Sequence, residues 1–525
     1  MQGMKEGSEI SFEQWKERGI IQNIEAKTGL IHYDVNAGPS QSGGGVFDGE
    51  RHGLESSVIG VHVGRDKDSS SFACIITQER FDELLQWINV SEGKRKKFKE
   101  IIQSKDDKEG VIKRLQLRET YEQAELGLLT EYKLRGLEEI DLSCKKEGLE
   151  FLCKNTFWEN LQSINLSWNG IEDDACYSLS KNETWKNLKT LILRSNYIGD
   201  DGISAIVKSK ILLGLEEIDL NFNKFGSPGV IALADNTLSW NNLKRLDLSE
   251  NDIGDEGASA IGMNMSWKKL EYLSLSRTRI DDKGAIVIGS NITWKNLKVL
   301  RLVCNKIGDD GAVPIGKNIT WTNLEELDLS SNLIGDKAAI AIAENRSWTK
   351  LKILNLGINN ITAEGGEVIV KNDVWKFLEV LRLSYNEIQD RGALATGSNS
   401  AWCNLKELYL AGNQIGEEGG VAIGRNTTWK KLEQLTLDYN LIGNKGAIVI
   451  GRNSTWKSLK SLELHQNKIR FQGLLALVQN SAWKYIIKMT LWENDRTTQE
   501  RINALKATAL LNPKRIQLLM PSEFD

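Results

Sequence analysis

The sequence has few prolines, cysteines and histidines and no long apolar run. The scarcity of cysteine and the lack of apolar runs each exclude a class of protein. Its apolar stretches, such as Leu474–Val478, fall far short of the roughly 18 residues that cross a bilayer. The 6 cysteines form no C-x-x-C pair, which favours reduced thiols over a disulfide framework. Lysine plus arginine number 67 against 71 acidic residues. Because basic residues are not in excess, the composition argues against a nucleic acid or an anionic membrane as the partner.

Signals for targeting and for cofactors are also missing. The segment 1–19 is charged and lacks the apolar stretch of a signal peptide, so we expect a cytoplasmic protein or export by a signal-independent route. No phosphate loop, metal-ligand spacing or paired-carboxylate site is present. We therefore expect a soluble protein, a monomer, with no cofactor and no metal.

Tryptophan is abundant instead, and it recurs at a fixed spacing. Ten tryptophans follow one another at intervals of 27 residues, from Trp240 to Trp483. Further back, the equivalent positions are Leu212, Trp185, Trp158 and Leu134, which gives 14 units over residues 134–494. A repeat of this length predicts a solenoid in which each unit packs only against its neighbours.

One unit predicts a strand, a turn and a short helix. In Leu324-x-x-Leu327-x-Leu329-x-x-Asn332, alternation sends the leucines inward and the intervening polar side chains outward. Asn332 and its equivalents predict a ladder of buried amides where the chain leaves each strand. A helix of about two turns follows the strand in each unit. In the preceding unit, Asp309 is the predicted cap at the start of this helix, and the helix is predicted to end in a left-handed cap near Asn318. We expect the tryptophans to lie in the core.

This pattern resembles the leucine-rich repeat of the ribonuclease-inhibitor-like subclass, which Ran GTPase activators and NOD-like receptors also use. The resemblance implies an α/β solenoid shaped as a horseshoe, with a parallel sheet on the concave face and helices on the convex face. Residues 91–133 are charged and predict a helical connector with the N-terminal cap. Residues 495–525 predict the C-terminal cap, including an amphipathic helix.

The concave row of side chains changes from unit to unit while the leucine frame is kept. This variation is typical of a recognition surface, although drift among solvated positions is the alternative. Arginine and aromatic residues commonly dominate binding energy at protein interfaces. The candidate partner-binding residues are Asp219, Asp247, Tyr272, Arg301, Asp328, Arg382, Tyr409, Glu463, His465 and Trp492.

Residues 1–90 follow a different pattern, with short strands around a loop rich in glycine and serine. The motif Ser42-Gly43-Gly44, between the predicted strands 30–34 and 58–64, resembles the C-terminal part of trypsin-like serine proteases of the glutamyl-endopeptidase branch. The resemblance implies a small all-β partial barrel in which Ser42 is the nucleophile and Gly43 belongs to the oxyanion loop. His62 matches the substrate pocket, while Ser40 replaces a usual glycine.

A serine nucleophile needs a histidine base and a carboxylate that orients it. The resemblance places both upstream of Ser42, where the sequence offers only His32, too near to serve. A truncated gene start, a decayed protease tail and a coincidental loop are the three explanations. Our first reading is a bacterial-type interaction protein that binds a protein partner and has an inactive protease module. The alternative is a serine endopeptidase whose other half is missing. A third possibility, GTPase activation, would need a catalytic arginine, and none can be identified in the sequence.

Sequons of the form N-x-S/T recur because the unit ends in N-x-S/T-W. Without a secretory signal we expect no glycosylation, and copying of the unit explains their number. The sequon asparagines are Asn182, Asn264, Asn291, Asn318, Asn345, Asn426 and Asn453.

Overall fold

A computed structural model describes residues 21–25, 30–33, 114–121, 137–144, 158–235, 240–491 and 493–494. The chain divides into two compact units, Met1–Glu217 and Ile218–Asp525, which are described in turn. No helix in these ranges is both long and apolar enough to cross a membrane.

The first unit contains a hairpin and the start of a parallel sheet. Strands β1 and β2 pair antiparallel, and β2 lies within the predicted strand 30–34. Strands β3 to β6 pair in parallel and in chain order. The elements are β1 (Ile21–Glu25), β2 (Leu30–Tyr33), β3 (Arg114–Tyr121), β4 (Glu139–Cys144), β5 (Ser163–Asn165), α1 (Asp173–Ser180), β6 (Thr190–Ile192) and α2 (Asp200–Val207).

Strand β3 corrects the prediction of a helical connector for this part of residues 91–133. Leu115 pairs with Ile140 and Leu117 with Leu142, so β3 extends the sheet by one strand before the first repeat. The physical reason is local alternation, because polar residues flank Leu115 and Leu117 at a period of two, which suits a strand.

The second unit repeats one strand and one helix from β7 (Glu217–Asp219) onward. Strands β8 to β17 pair in parallel, in register and in chain order. The elements are α3 (Ser227–Asp235), β8 (Arg245–Asp247), α4 (Gly254–Met263), β9 (Tyr272–Ser274), α5 (Asp282–Gly289), β10 (Val299–Arg301), α6 (Asp309–Lys317), β11 (Glu326–Asp328), α7 (Asp336–Glu344), β12 (Ile353–Asn355), α8 (Ala363–Val370), β13 (Val380–Arg382), α9 (Gln389–Ser398), β14 (Glu407–Tyr409), α10 (Glu417–Arg425), β15 (Gln434–Thr436), α11 (Gly443–Gly451), β16 (Ser461–Glu463), α12 (Phe471–Val478) and β17 (Lys488–Thr490).

The leucines and tryptophans of each repeat form the core, as the sequence predicts. Leu324, Leu327 and Leu329 are fully buried, and so is Trp321. The indole rings of Trp294 and Trp321 stack with their centroids 6.5 Å apart, so these two rings contact each other across adjacent repeats. The tryptophan series is therefore structural, and its rings are not available to a ligand.

The predicted asparagine ladder is confirmed. Asn332 donates hydrogen bonds from Nδ2 to the carbonyl of Leu302 at 2.9 Å and to that of Leu329 at 3.0 Å. Its Oδ1 accepts from the amide of Ile307 at 3.1 Å. One buried amide thus joins backbone groups of two successive repeats. At the equivalent position in one repeat, buried Thr278 donates from its hydroxyl to the carbonyl of Leu275 at 2.6 Å.

Asp309 acts across repeats, which corrects the prediction that it caps its own helix. The helix of Asp309 begins after Gly308, which has no side chain to cap it, and Oδ1 of Asp282 in the preceding repeat accepts from the amide of Gly308 at 2.6 Å instead. Oδ1 of Asp309 accepts instead from the backbone amides of Gly335 at 2.9 Å and Ala338 at 3.0 Å, at the start of α7. The carboxylate is placed there because free N–H groups at a helix N-terminus attract an anion.

The sequon asparagines form a second ladder. Asn318 is buried, and Nδ2 donates to the carbonyls of Gly289 and Asn291, both at 2.8 Å. Its backbone is extended, with φ −74° and ψ 105°, so the predicted left-handed cap is wrong. Extended backbone suits this position because Oδ1 then accepts from the amide of Thr320 at 2.9 Å. A buried amide engaged in this way cannot carry a glycan in the folded protein.

Candidate functional site

The candidate site is the solvent side of the sheet, which we call the strand face. It consists of the first and third residues of each short strand together with the second residue after the strand, because these positions alternate with buried leucines. The described residues predicted to bind a partner all occupy these positions. They are Asp219, Asp247, Tyr272, Arg301, Asp328, Arg382, Tyr409, Glu463 and His465.

The structure brings three of these residues, Asp247, Tyr272 and Arg301, into contact with one another or with their neighbours on β8 to β11. The guanidinium of Arg245 lies 3.5 Å from the ring centroid of Tyr272, whose hydroxyl donates to Asp247 at 3.2 Å. The guanidinium of Arg301 lies 5.6 Å from the centroid of the same Tyr272 ring, and its Nε donates to Glu326 at 2.6 Å. Burial raises the pKa of the Tyr272 hydroxyl, which stays a neutral donor at physiological pH.

A similar set lies on β13 and β14. The guanidinium of Arg382 is 4.8 Å from the ring centroid of Tyr409 and donates to Glu407 at 3.0 Å. The hydroxyl of Tyr409 also donates to Glu407, at 3.0 Å. Burial raises the pKa of Tyr409, and its bond to Glu407 acts in the same direction. The chain therefore holds these side chains in one arrangement before any partner arrives, which lowers the entropic cost of binding.

On β15 to β17 the strand face carries a buried acid and an imidazole. Nδ1 of His465 lies 2.5 Å from Oδ1 of Asp438, and the backbone amide of His465 donates to the same oxygen at 2.9 Å. Burial raises the pKa of the Asp438 carboxyl to about 7, and burial lowers the pKa of His465. Next to them Lys488 donates to Glu463 at 2.6 Å.

A second row of side chains, which sequence analysis did not identify, borders the strand face. We call it the rim row: the residue immediately before each ladder position. Every member has left-handed backbone, with φ between 50° and 63°. The row in the described repeats is Trp168, Ser195, Phe222, Glu250, Arg277, Cys304, Ser331, Ile358, Tyr385, Gly412, Tyr439, Gln466 and Glu493.

The rim row places large side chains at positions whose left-handed backbone glycine adopts with the least conformational strain. A left-handed non-glycine residue is less stable by about 1 kcal/mol, yet only one member is glycine. Several members are also exposed: Trp168 by 68%, Phe222 by 51%, Ile358 by 55%, Tyr385 by 51% and Tyr439 by 42%. These exposed side chains make the rim row a candidate contact surface.

Within the rim row, Tyr385 and Tyr439 meet across an intervening repeat. A Cβ atom on Gly412 would lie 2.6 Å from Cδ1 of Tyr385, so the glycine provides the space in which this ring lies. The ring centroids of Tyr385 and Tyr439 are 6.4 Å apart. Tyr439 also contacts His465 edge to face, with centroids 4.5 Å apart. The only sequence signal was the single glycine, whose meaning required the fold.

Several predicted positions lie outside the described residues. They are the proposed nucleophile Ser42, the loop residues Ser40 and Gly43, the pocket residue His62, and Trp492. The protease resemblance therefore stays a prediction from sequence. Among the described residues, no group of three or more histidines, cysteines or acids is placed to hold a metal ion.

Comparison with known families identifies the repeat. A family model described as Leucine Rich repeat matches ten segments of the chain. They are residues 159–180, 186–207, 215–234, 241–262, 268–289, 295–316, 322–343, 349–370, 376–395 and 403–424. The structural repeat continues beyond these matches, because strands and helices alternate through β17.

Solved structures with the same kind of repeat cover most of the chain at low identity. A leucine-rich repeat protein of Leptospira interrogans is 20% identical, over 72% of this chain and 90% of that one, with a TM-score of 0.48. An internalin from Listeria monocytogenes is 20% identical, over 69% and 92%, with a TM-score of 0.49. A comparison with curated proteins gave no match.

Proposed function

We propose that this chain, which is built from leucine-rich repeats, binds a protein partner on its strand face. The observation that carries the proposal is the contrast between frame and face. Leu300, Leu327 and Leu354 are fully buried in three successive repeats, whereas the next residue of each strand is arginine, aspartate and asparagine in turn. Because the frame alone maintains the fold, the varied side chains are available for recognition.

The chemistry of the strand face suits a protein partner. Tyrosine and arginine are enriched among the residues that dominate protein interfaces, and the face holds both in fixed positions. Tyr272 lies against Arg245, and Tyr409 lies against Arg382. Neighbouring acids pair with the arginines, so the surface offers charges of both signs, apolar rings and hydrogen-bonding groups together.

Within the leucine-rich repeats we propose the ribonuclease-inhibitor-like subclass. Two features support it: the 27-residue period and a true α-helix in each repeat, such as Asp336–Glu344 with 9 residues. Shorter leucine-rich repeats replace this helix with a less regular segment.

A site-specific photo-crosslinker tests the proposed function. Benzoylphenylalanine is placed at Gln434 on the strand face, or at the exposed helix residue Lys337 as the matched control, in cells that produce the chain. We expect one discrete crosslinked protein from position 434 and none from position 337. The crosslink should be lost when Arg382→Ala and Tyr409→Ala are combined, since these remove the nearest preorganised set.

Equal crosslinking from both positions would contradict the proposal, and so would a crosslink from the helix side alone. Absence of any discrete product at position 434 would also contradict it. Circular dichroism of each purified variant confirms that the comparison is made between folded proteins.

A further inference from the structure

Arginine, tyrosine and carboxylate occur together twice on the strand face, and both times the chain supplies all three. In the first set Arg245 lies 3.5 Å from the Tyr272 centroid, and the tyrosine donates to Asp247. In the second, Arg382 lies 4.8 Å from the centroid of a tyrosine that donates to Glu407. The guanidinium interacts with the negative face of the ring and with the acid at once.

A third set lies at the rim and contains two of the three components. Tyr385 and Tyr439 supply the rings, and Asp438 supplies the carboxylate, which contacts His465, the imidazole packed edge to face against Tyr439. In the part of the chain that the structure describes, no lysine or arginine lies over either ring. Instead, 51% and 42% of the surfaces of Tyr385 and Tyr439 stay exposed to solvent.

We propose that Tyr385 and Tyr439 receive an arginine side chain of the protein partner. This inference rests on the proposed function and names the chemistry of one contact within it. The partner's guanidinium would take the place that Arg245 and Arg382 occupy in the other two sets. Arginine suits the site better than lysine because its planar group stacks on aromatic rings.

The local charges favour a cation. Lys488, the basic residue beside the buried acid, is already paired with Glu463 at 2.6 Å. Burial raises the pKa of the Tyr385 hydroxyl, and the neighbouring Tyr439 and the charge of Asp438 raise it further. An added positive charge near Tyr385 is therefore attracted by the same field that resists ionisation of the hydroxyl.

The shape of the site depends on Gly412. With any larger residue there, the first added carbon would lie 2.6 Å from the Tyr385 ring, which is too close for a stable contact. The ring would then move away from Tyr439, and the two faces could no longer bind one guanidinium. Gly412→Ala is accordingly a sharper test than removal of a ring, because both tyrosines remain.

The site should also respond to pH. The pKa of Asp438 is raised to about 7, so lowering the pH from 8 to 6 protonates it and removes the negative charge that attracts arginine. Binding should weaken on acidification, whereas a contact made by the rings alone would not change. The titratable groups that face Asp438 or its imidazole partner are His465, Glu463, Lys488, Glu493, Tyr385 and Tyr439.

Fluorine NMR of the full chain, labelled with 3-fluorotyrosine, tests the proposal. The probe is the peptide acetyl-Gly-Arg-Gly-Arg-Gly-amide, and the control peptide carries citrulline, which keeps the shape of arginine without its charge. Tyr385→Phe and Tyr439→Phe assign the two resonances. We expect the arginine peptide to shift both at pH 8, with the resonance of the exposed Tyr485 unchanged.

The variants fix the expected size of the effect. Gly412→Ala and Asp438→Asn should each weaken binding of the peptide about tenfold, the range expected when one cation–π or ionic contact is lost. Tyr485→Ala is the matched control, and it should bind the peptide like the unaltered chain. Circular dichroism identifies any variant that fails to fold, and Tyr385→Leu then replaces Gly412→Ala.

Three results would overturn the inference: equal shifts with the citrulline peptide, unchanged affinity in Gly412→Ala, or no shift with the arginine peptide. Crosslinking at Gln434 separates this failure from that of the proposed function. A crosslink that persists when Tyr385→Ala and Tyr439→Ala are combined contradicts the arginine contact alone. If position 434 gives no discrete crosslink in a chain that carries no other substitution, the proposed function itself is contradicted.

Discussion

Trp321→Ala should lower the free energy of unfolding by about 3–5 kcal/mol, as expected for the truncation of a large buried aromatic side chain. Trp321 is fully buried, stacks on Trp294, and donates from Nε1 to the carbonyl of Asn291 at 3.2 Å. The substitution removes the ring stack and the hydrogen bond and leaves a cavity between two repeats. Because repeats are stabilised by their neighbours, the loss should extend to both adjoining units.

Denaturant unfolding monitored by circular dichroism measures this effect. Trp168→Ala is the matched control, since Trp168 is 68% exposed and lies in the rim row. It should change the unfolding free energy by less than about 0.5 kcal/mol, as is usual for surface positions. Similar losses in the two variants would contradict the assignment of the tryptophan series to the core.

Asn359→Ala should destabilise the chain by about 2–4 kcal/mol, because several buried backbone groups lose their partners at once. Nδ2 of Asn359 donates to the carbonyls of Leu329 and Leu356, both at 3.1 Å. Its Oδ1 accepts from the amide of Ile334 at 3.0 Å. Alanine replaces none of these bonds.

The next residue in sequence provides the control. Asn360 is exposed, and Asn360→Ala should leave the free energy of unfolding within about 0.5 kcal/mol of its original value. Urea unfolding of the two variants compares the same chemical change at adjacent positions. If both variants unfold at the urea concentration of the unaltered chain, the ladder contributes nothing to stability.

The frame of the fold could be predicted from sequence because its physical causes are local and repeated. Alternation around Leu327 predicts a half-buried strand, and the position of Asn332 predicts an amide between repeats. Both predictions are confirmed, since the leucine is fully buried and the asparagine bonds two repeats. Copies of one unit make each signal visible many times, so that an error in one copy is corrected by the others.

The partners of the helix aspartates were harder to predict, because the repeat pattern does not say whether such a side chain bonds its own repeat or the next. Asp309 looks like the cap of its own helix, yet it bonds the amides that open α7. The strand at Arg114–Tyr121 lies in a charged segment, where the charge suggested a solvated helix. The first error arose because the amides that Asp309 contacts belong to the next repeat, and the second because the charge of the segment was given more weight than the alternation around Leu115 and Leu117.

The rim row shows the same limit at the candidate site. Tyr385 and Tyr439 occupy corresponding positions in two repeats that are not neighbours, so sequence spacing does not predict that their rings approach to 6.4 Å. Their contact depends on the single glycine between them and on left-handed backbone at each position. The strand-face positions, by contrast, follow from alternation alone, and the predicted residues that the structure describes lie on that face, while their role in binding stays a proposal.

The central claim is that frame and face are separable: buried leucines and asparagines maintain the fold, while strand-face side chains bind the partner. The most direct test replaces Arg382, Glu407, Tyr409 and Gln434 together by serine and measures both unfolding and affinity for the crosslinked partner. We predict an affinity loss of at least about 100-fold, since hot-spot residues are removed, with unfolding changed by under about 2 kcal/mol. Retained affinity, or a collapse of the fold, would contradict the claim.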